Sequence, residues 1–149
     1  MPEKFFEEYE VGERYVSPGR TITEADIVNF AGVSGSFHEI HTNEELMKKS
    51  KYGRRIAHGL LIYSIARGLI SRVDIRPKLV AFYGIDRIRF IKPVFIGDTI
   101  YVIEKVVEKK EKNEFGTITF EDKVYNQNDE LVLIAYPKLA VEKKKKSNV

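Results

Sequence analysis

The C-terminal half of the chain alternates between apolar and polar positions. Residues 98–110 (DTIYVIEKVVEKK), 115–127 (FGTITFEDKVYNQ) and 130–142 (ELVLIAYPKLAVE) place apolar side chains at every second position over much of their length, the period of a half-buried strand. The run before them, 78–91 (KLVAFYGIDRIRFI), is equally rich in Val, Ile, Phe and Tyr and reads as a further strand. The connections KPVFIGD, EKNEFG and NQND carry the Gly, Asn and Asp that hairpin turns use, so the four strands are expected to follow one another as an antiparallel meander.

The N-terminal half has a different texture. Residues 13–21 (ERYVSPGRT) read as a short strand or extended arm with a turn or bulge at Pro18-Gly19. Thr23 is placed to cap a helix over EADIVNFAG, with Asp26 three residues on and Ile27, Phe30 and Ala31 at helical spacing; Gly32 is its expected end. A loop, VSGSFHEIH, follows. Asn43 is then placed to cap a short helix, EELMKKS, with Glu44 and Glu45 in its first turn and Lys48 and Lys49 in its last. Residues 57–73 (AHGLLIYSIARGLISRV) form the longest apolar helix candidate, and being apolar on most faces it is expected to be buried. One long sheet with one buried helix implies an α+β domain in which the sheet wraps the helix.

With 149 residues, 43% of them hydrophobic, the chain suits one domain, expected over residues 1–142, followed by a basic flexible tail at 143–149. A net charge of +3 from nearly balanced signs argues against a nucleic-acid binder. The absence of Cys excludes disulfides, thiolate metal sites and Cys nucleophiles. The opening MPEKFFEEYEVGE has no apolar core of a secretory signal, and GLLIYSIARGLI is interrupted by Arg67 and too short to span a bilayer. A cytoplasmic protein with no membrane partner is therefore expected.

All 3 histidines lie between positions 38 and 58, and GSFHEIHTN places His38, Glu39 and His41 together. The HEIH spacing is not the i, i+4 spacing of helical zinc sites and no third ligand is evident, so no metal is expected. Three blocks carry a more specific signal: Ser34, Gly35 and His41; then Tyr52, Gly53, Ile56, His58, Gly59, Leu60 and Leu61; then Phe90, Pro93, Val94, Gly97, Asp98 and Thr99. In order and spacing they resemble the MaoC-like dehydratases, the (R)-specific enoyl-CoA hydratases of the hot-dog fold, over about residues 8–142. The resemblance implies an antiparallel sheet wrapped around one long central helix, a homodimer or larger assembly of dimers, an acyl-CoA or enoyl-CoA thioester as substrate, and no cofactor beyond the coenzyme A of that substrate.

It also implies roles for particular residues. Hydration needs a base for the attacking water, an acid for the α-carbon and donors for the negative charge growing on the thioester oxygen. His41 falls on the catalytic His, and Gly59 on the residue whose amide holds that oxygen at a helix N-terminus. Ser64 matches a supporting serine, and His58 is expected to satisfy a backbone carbonyl at the helix start. The family Asp five residues before the His is here Ser36, the family Asn is His38 and the family Pro is Glu39. A hydroxyl cannot serve as a carboxylate base at neutral pH. Three arrangements follow: Glu39 substitutes for the Asp, His41 works with Ser36 positioning water, or the protein binds acyl thioesters without hydrating them. The last includes an accessory hot-dog subunit and an acyl-CoA thioesterase. Gly97 and Asp98 read as turn chemistry, and Arg54, Arg55, Arg87 and Arg89 as surface charges within possible reach of a coenzyme A phosphate.

Overall fold

Residues 2–147 are described by the structure, a computed structural model; Asn148 and Val149, the end of the expected basic tail, lie outside the described residues. In chain order the elements are β1 (Glu3–Lys4), a 3-10 turn (Phe6–Glu8), β2 (Arg14–Val16), β3 (Arg20–Thr21), α1 (Glu24–Ser34), α2 (Glu39–Thr42), α3 (Glu44–Lys48), α4 (Gly59–Ile70), β4 (Arg76–Pro77), β5 (Leu79–Phe90), β6 (Thr99–Glu111), β7 (Phe115–Tyr125) and β8 (Leu131–Glu142).

The alternating stretches form the expected strands, but in a different order. β6, β7 and β8 pair antiparallel as neighbours, whereas β5 pairs with β8, so the main sheet runs β2-β6-β7-β8-β5. The expected four-strand meander is thus corrected to three strands. KPVFIGD is a crossing connection rather than a hairpin: Ala57 N–H donates to the Val94 carbonyl at 2.8 Å and Ile56 bridges Phe95, which carries this segment past the start of α4. Its turn has Gly97 at φ 92° and a buried Asp98 that accepts from Phe95 N–H and Gln127 Nε2, both at 2.9 Å. β2 and β3 both pair with β6, and the residues between them, Ser17 to Gly19, form the expected irregularity.

The helices also differ from expectation, the long one spanning Gly59–Ile70 rather than 57–73. α1 begins with Thr23 and Asp26 capping each other, as expected, but passes Gly32 and ends at Ser34, with Gly35 left-handed at φ 74° beyond it. The segment read as loop contains the single turn α2, four residues being too few to show a helical period. Tail residues Lys143 and Lys144 are held by Glu111 and Glu8, so the expected free tail is anchored at its root.

The hot-dog architecture follows from how α4 is buried. Leu61, Ile62, Ile65, Ala66 and Leu69 face the sheet and pack on Ile100, Val102, Val124 and Leu133. A second cluster, Phe6, Tyr9, Val106, Ile118 and Phe120, extends the core to the N-terminal segment. No helix among the described residues is long and apolar enough to cross a membrane.

Near the C-terminal end of α4 an ionic group is buried in this apolar interface. Glu104 and Asp122 are directly opposite on β6 and β7, an arrangement that is destabilising for two like charges unless a cation intervenes. Arg67 supplies it: Nη1 donates to Glu104 and, at 2.8 Å, to Asp122. Burial, and Asp122 beside it, push the Glu104 carboxyl well above the ordinary value of 4.5 against the opposing pull of Arg67. A folded state that holds a proton more tightly than the unfolded chain loses stability as pH rises above 4.5. Glu104→Gln keeps an acceptor for Arg67 but has no proton to lose. Its denaturation midpoint is expected to fall less than that of the parent between about pH 5 and about pH 8. Arg67→Met strands two buried carboxyls and is expected to cost about 3–5 kcal/mol of unfolding free energy in a denaturant titration at neutral pH.

Candidate active site

A cleft of about 520 Å³ opens where the N-terminus of α4 meets the α1–α2 loop. Its walls are residues 56–60, residues 90–94, Tyr52, Ser34 at the end of α1, Ser36 from the loop, Ile40 and His41 from α2, and Phe30, Ile62, Val132 and Leu133 from the core. The chemistry is set by local backbone. Left-handed Gly35 turns the chain out of α1, and its N–H closes on the Ala31 carbonyl at 2.8 Å. α2 is then tied to the approach to α4 in two places: Ile56 N–H donates to the Ile40 carbonyl at 3.1 Å, and His41 Nδ1 bonds the Ile56 carbonyl at 2.7 Å.

A carbonyl only accepts, so His41 carries its proton on Nδ1, leaving Nε2 as the ring's basic nitrogen. Burial lowers the His41 pKa below the ordinary 6.5; the charges of His58 and His38 act in the same direction and the Ile56 bond opposes them. His41 is therefore a neutral imidazole at neutral pH, with Nε2 free of a proton. His58 lies flat against it, with ring centroids 3.7 Å apart and planes 26° from parallel. No side chain caps α4, and the N–H groups of Gly59 and Leu60 have no acceptor among the described residues. Both residues line the cleft, so the positive end of the helix dipole meets it. Position 59 has no room for a side chain: a Cβ there would lie 2.5 Å from the Phe90 ring.

Four of the seven residues singled out from sequence, Ser36, His41, His58 and Gly59, meet in this cleft. The other three do not line it. His38 caps α2 through Nδ1, which accepts from Ile40 N–H at 3.3 Å. Glu39 accepts from Asn43 Nδ2 at 3.0 Å on the exposed side of α2. Ser64 is exposed and donates to the Leu60 carbonyl at 2.7 Å, one turn back along its own helix. Arg55 bridges Glu24 and Glu44, while Arg54 lies over the Phe95 ring at 4.0 Å. Lys92, which no motif indicated, reaches the cleft through the crossing connection and pairs with Glu130. Its only sequence signal was its place beside Pro93.

A family model described as MaoC like domain matches residues 7–128. Protein MaoC of Klebsiella aerogenes is 44% identical over 99 residues, 66% of this chain and 29% of that protein, so the chain spans less than a third of that relative. The (R)-specific enoyl-CoA hydratase of Rhodospirillum rubrum is 34% identical over 136 residues, covering 87% of this chain and 91% of the enzyme. Among solved structures, a monoamine oxidase regulatory protein from Archaeoglobus superposes with a TM-score of 0.92 at 37% identity, covering 97% of this chain and 98% of that one.

Two outcomes are expected of the cleft itself. In an NMR titration the His41 midpoint lies below 6.5, with Nδ1 protonated at neutral pH. Gly59→Ala displaces the Phe90 ring, and a Gly59→Ala, Phe90→Leu double variant recovers part of the lost thermal stability.

Proposed function

The chain belongs to the MaoC-like domain family, and from that premise we propose that it hydrates enoyl thioesters reversibly, as a hydro-lyase acting on acyl-CoA. The observation that carries this reading is the His41–Ile56 bond, which leaves a basic Nε2 in a cleft that also holds the free amides of a helix N-terminus. The Rhodospirillum relative, a hydratase by name and matched over nearly its whole length, supports the substrate class.

In this reading the Ser36 hydroxyl positions water and His41 Nε2 takes its proton as the oxygen bonds to the β-carbon. The π electrons move toward the thioester oxygen, where the Gly59 N–H and the dipole of α4 meet the developing charge. The imidazolium then returns the proton to the α-carbon, so one water is added and His41 is regenerated. Reversal is dehydration. Of the three arrangements open from sequence, His41 with Ser36 is favoured, because the Glu39 carboxylate is held by Asn43 outside the cleft lining. Serine at the family aspartate position favours one second reading, an acyl-CoA-binding or accessory subunit without turnover.

Loss of enoyl absorbance with crotonyl-CoA and longer trans-2-enoyl-CoAs tests the reading. Turnover is expected, falling about 10²–10⁴-fold in His41→Ala, and kcat/KM is expected to fall as pH drops below the His41 midpoint because the base is then protonated. Ser36→Asp should raise the rate by about tenfold or more. Absence of turnover at every chain length, with binding retained in calorimetry, would establish the second reading instead.

The proposed assembly is a homodimer through β5. This strand ends the sheet, and its Val80, Phe82, Tyr83 and Ile85 are each at least 41% exposed, an unprotected apolar edge. Sedimentation should give a dimer, shifted toward monomer by Tyr83→Lys.

A further inference from the structure

His58 makes two contacts that a helix-start residue does not need. It stands at the N-terminus of α4, 4% exposed, yet its side chain caps none of the helix amides. Its Nε2 instead bonds the Ser36 carbonyl at 2.9 Å, which fixes the proton on Nε2 and the lone pair on Nδ1. That Nδ1 is buried without a partner, a cost that an apolar residue filling the same space would not carry. One face of the ring stacks on His41, and Phe30 packs tilted against it with centroids 4.9 Å apart.

The Ser36 bond matters because of what else holds that loop. The other hydrogen bonds of residues 35–38 among the described residues are local: Gly35 to Ala31, Ser36 N–H to Ser34 Oγ, Phe37 to Gly35, and those of Phe37 and His38 with residues 40–42. The bond to His58 is their one hydrogen bond to the body of the domain. The same imidazole thus touches the residue at the family aspartate position and the plane of the histidine proposed as base.

We propose that His58 is a positioning residue: its imidazole holds Ser36 by the carbonyl and His41 by the stack, so that the serine hydroxyl and the basic nitrogen address one water. The activity part of this inference rests on the hydratase reading. The geometric part does not.

The test uses His58→Ala and His58→Gln, the second keeping an N–H able to reach the Ser36 carbonyl. Misplacing catalytic groups by a fraction of their contact distance is expected to lower kcat about 10²-fold in His58→Ala, with KM changed less than about threefold and the melting transition still cooperative. His58→Gln is expected to recover about a tenth of the parent rate. In both variants the His41 midpoint, followed by NMR, should move up toward 6.5, because the neighbouring imidazole that lowers it has gone; His38 remains as the other titratable group acting on it. A kcat within about threefold of the parent in His58→Ala, or a His58→Gln rate no better than His58→Ala, overturns the positioning role. If His58→Ala does not fold, His58→Gln carries both readouts, and an unchanged rate with an unchanged His41 midpoint overturns it. If the parent shows no turnover while the His41 midpoint moves in the variants, the hydratase reading fails and the coupling of the two histidines stands.

Discussion

The packing of α4 against the concave face of β6, β7 and β8 positions everything else in this domain. Its apolar side chains form one hydrophobic cluster with the inward residues of the sheet, removing both from water. Near its C-terminal end Arg67 pins it to Glu104 and Asp122, a contact that fixes rotation as well as depth, because one guanidinium nitrogen must meet two carboxylates on adjacent strands. With that end fixed, the N-terminus can emerge only beside the α1–α2 loop and the crossing connection from β5. The cleft is the space left where those three segments meet.

That origin explains why the cleft is electrostatically prepared. The first amides of α4 have no side-chain cap, so the helix presents donors to whatever enters. Beside them, His41 is held as a neutral imidazole by partial burial, and its bond to Ile56 fixes the proton on Nδ1. In the proposed reaction, a base and a set of donors for negative charge are two of the requirements, and both are backbone-anchored. Serine at position 36 changes a further one, the orientation of water. Without a carboxylate there, orientation of water depends on how well the loop and His41 are aligned, which gives weight to the residue that contacts both.

Much of the fold was legible from local pattern. The alternation in 98–142 marked β6 to β8 because each has one face on the core, and the Thr23–Asp26 pair marked the start of α1 because a capping box is read within four residues. The place of β5 was not legible. Its apolar residues serve an open edge rather than one buried face, so its composition indicated a strand but not a neighbour. The turn-like Gly97 and Asp98 suggested a hairpin, although the chain before them had already crossed the sheet. At the site, His41 and Gly59 stood out through the motif they complete. Glu39 and Ser64 fell in the same motifs, but helix geometry points their polar groups at Asn43 and at the Leu60 carbonyl.

By itself the sequence determined the four long strands and three of the helices, where two of those helices start, and which histidine has a role to inherit, since periodicity, capping and motif spacing act over a few residues. The tertiary structure alone decided that β5 lies beside β8, that three of the seven indicated residues stay out of the cleft, and that His58 joins Ser36 across 22 residues while stacking on His41. These depend on which surfaces meet once α4 is buried, and burial is a property of the whole sheet that no short stretch of sequence records.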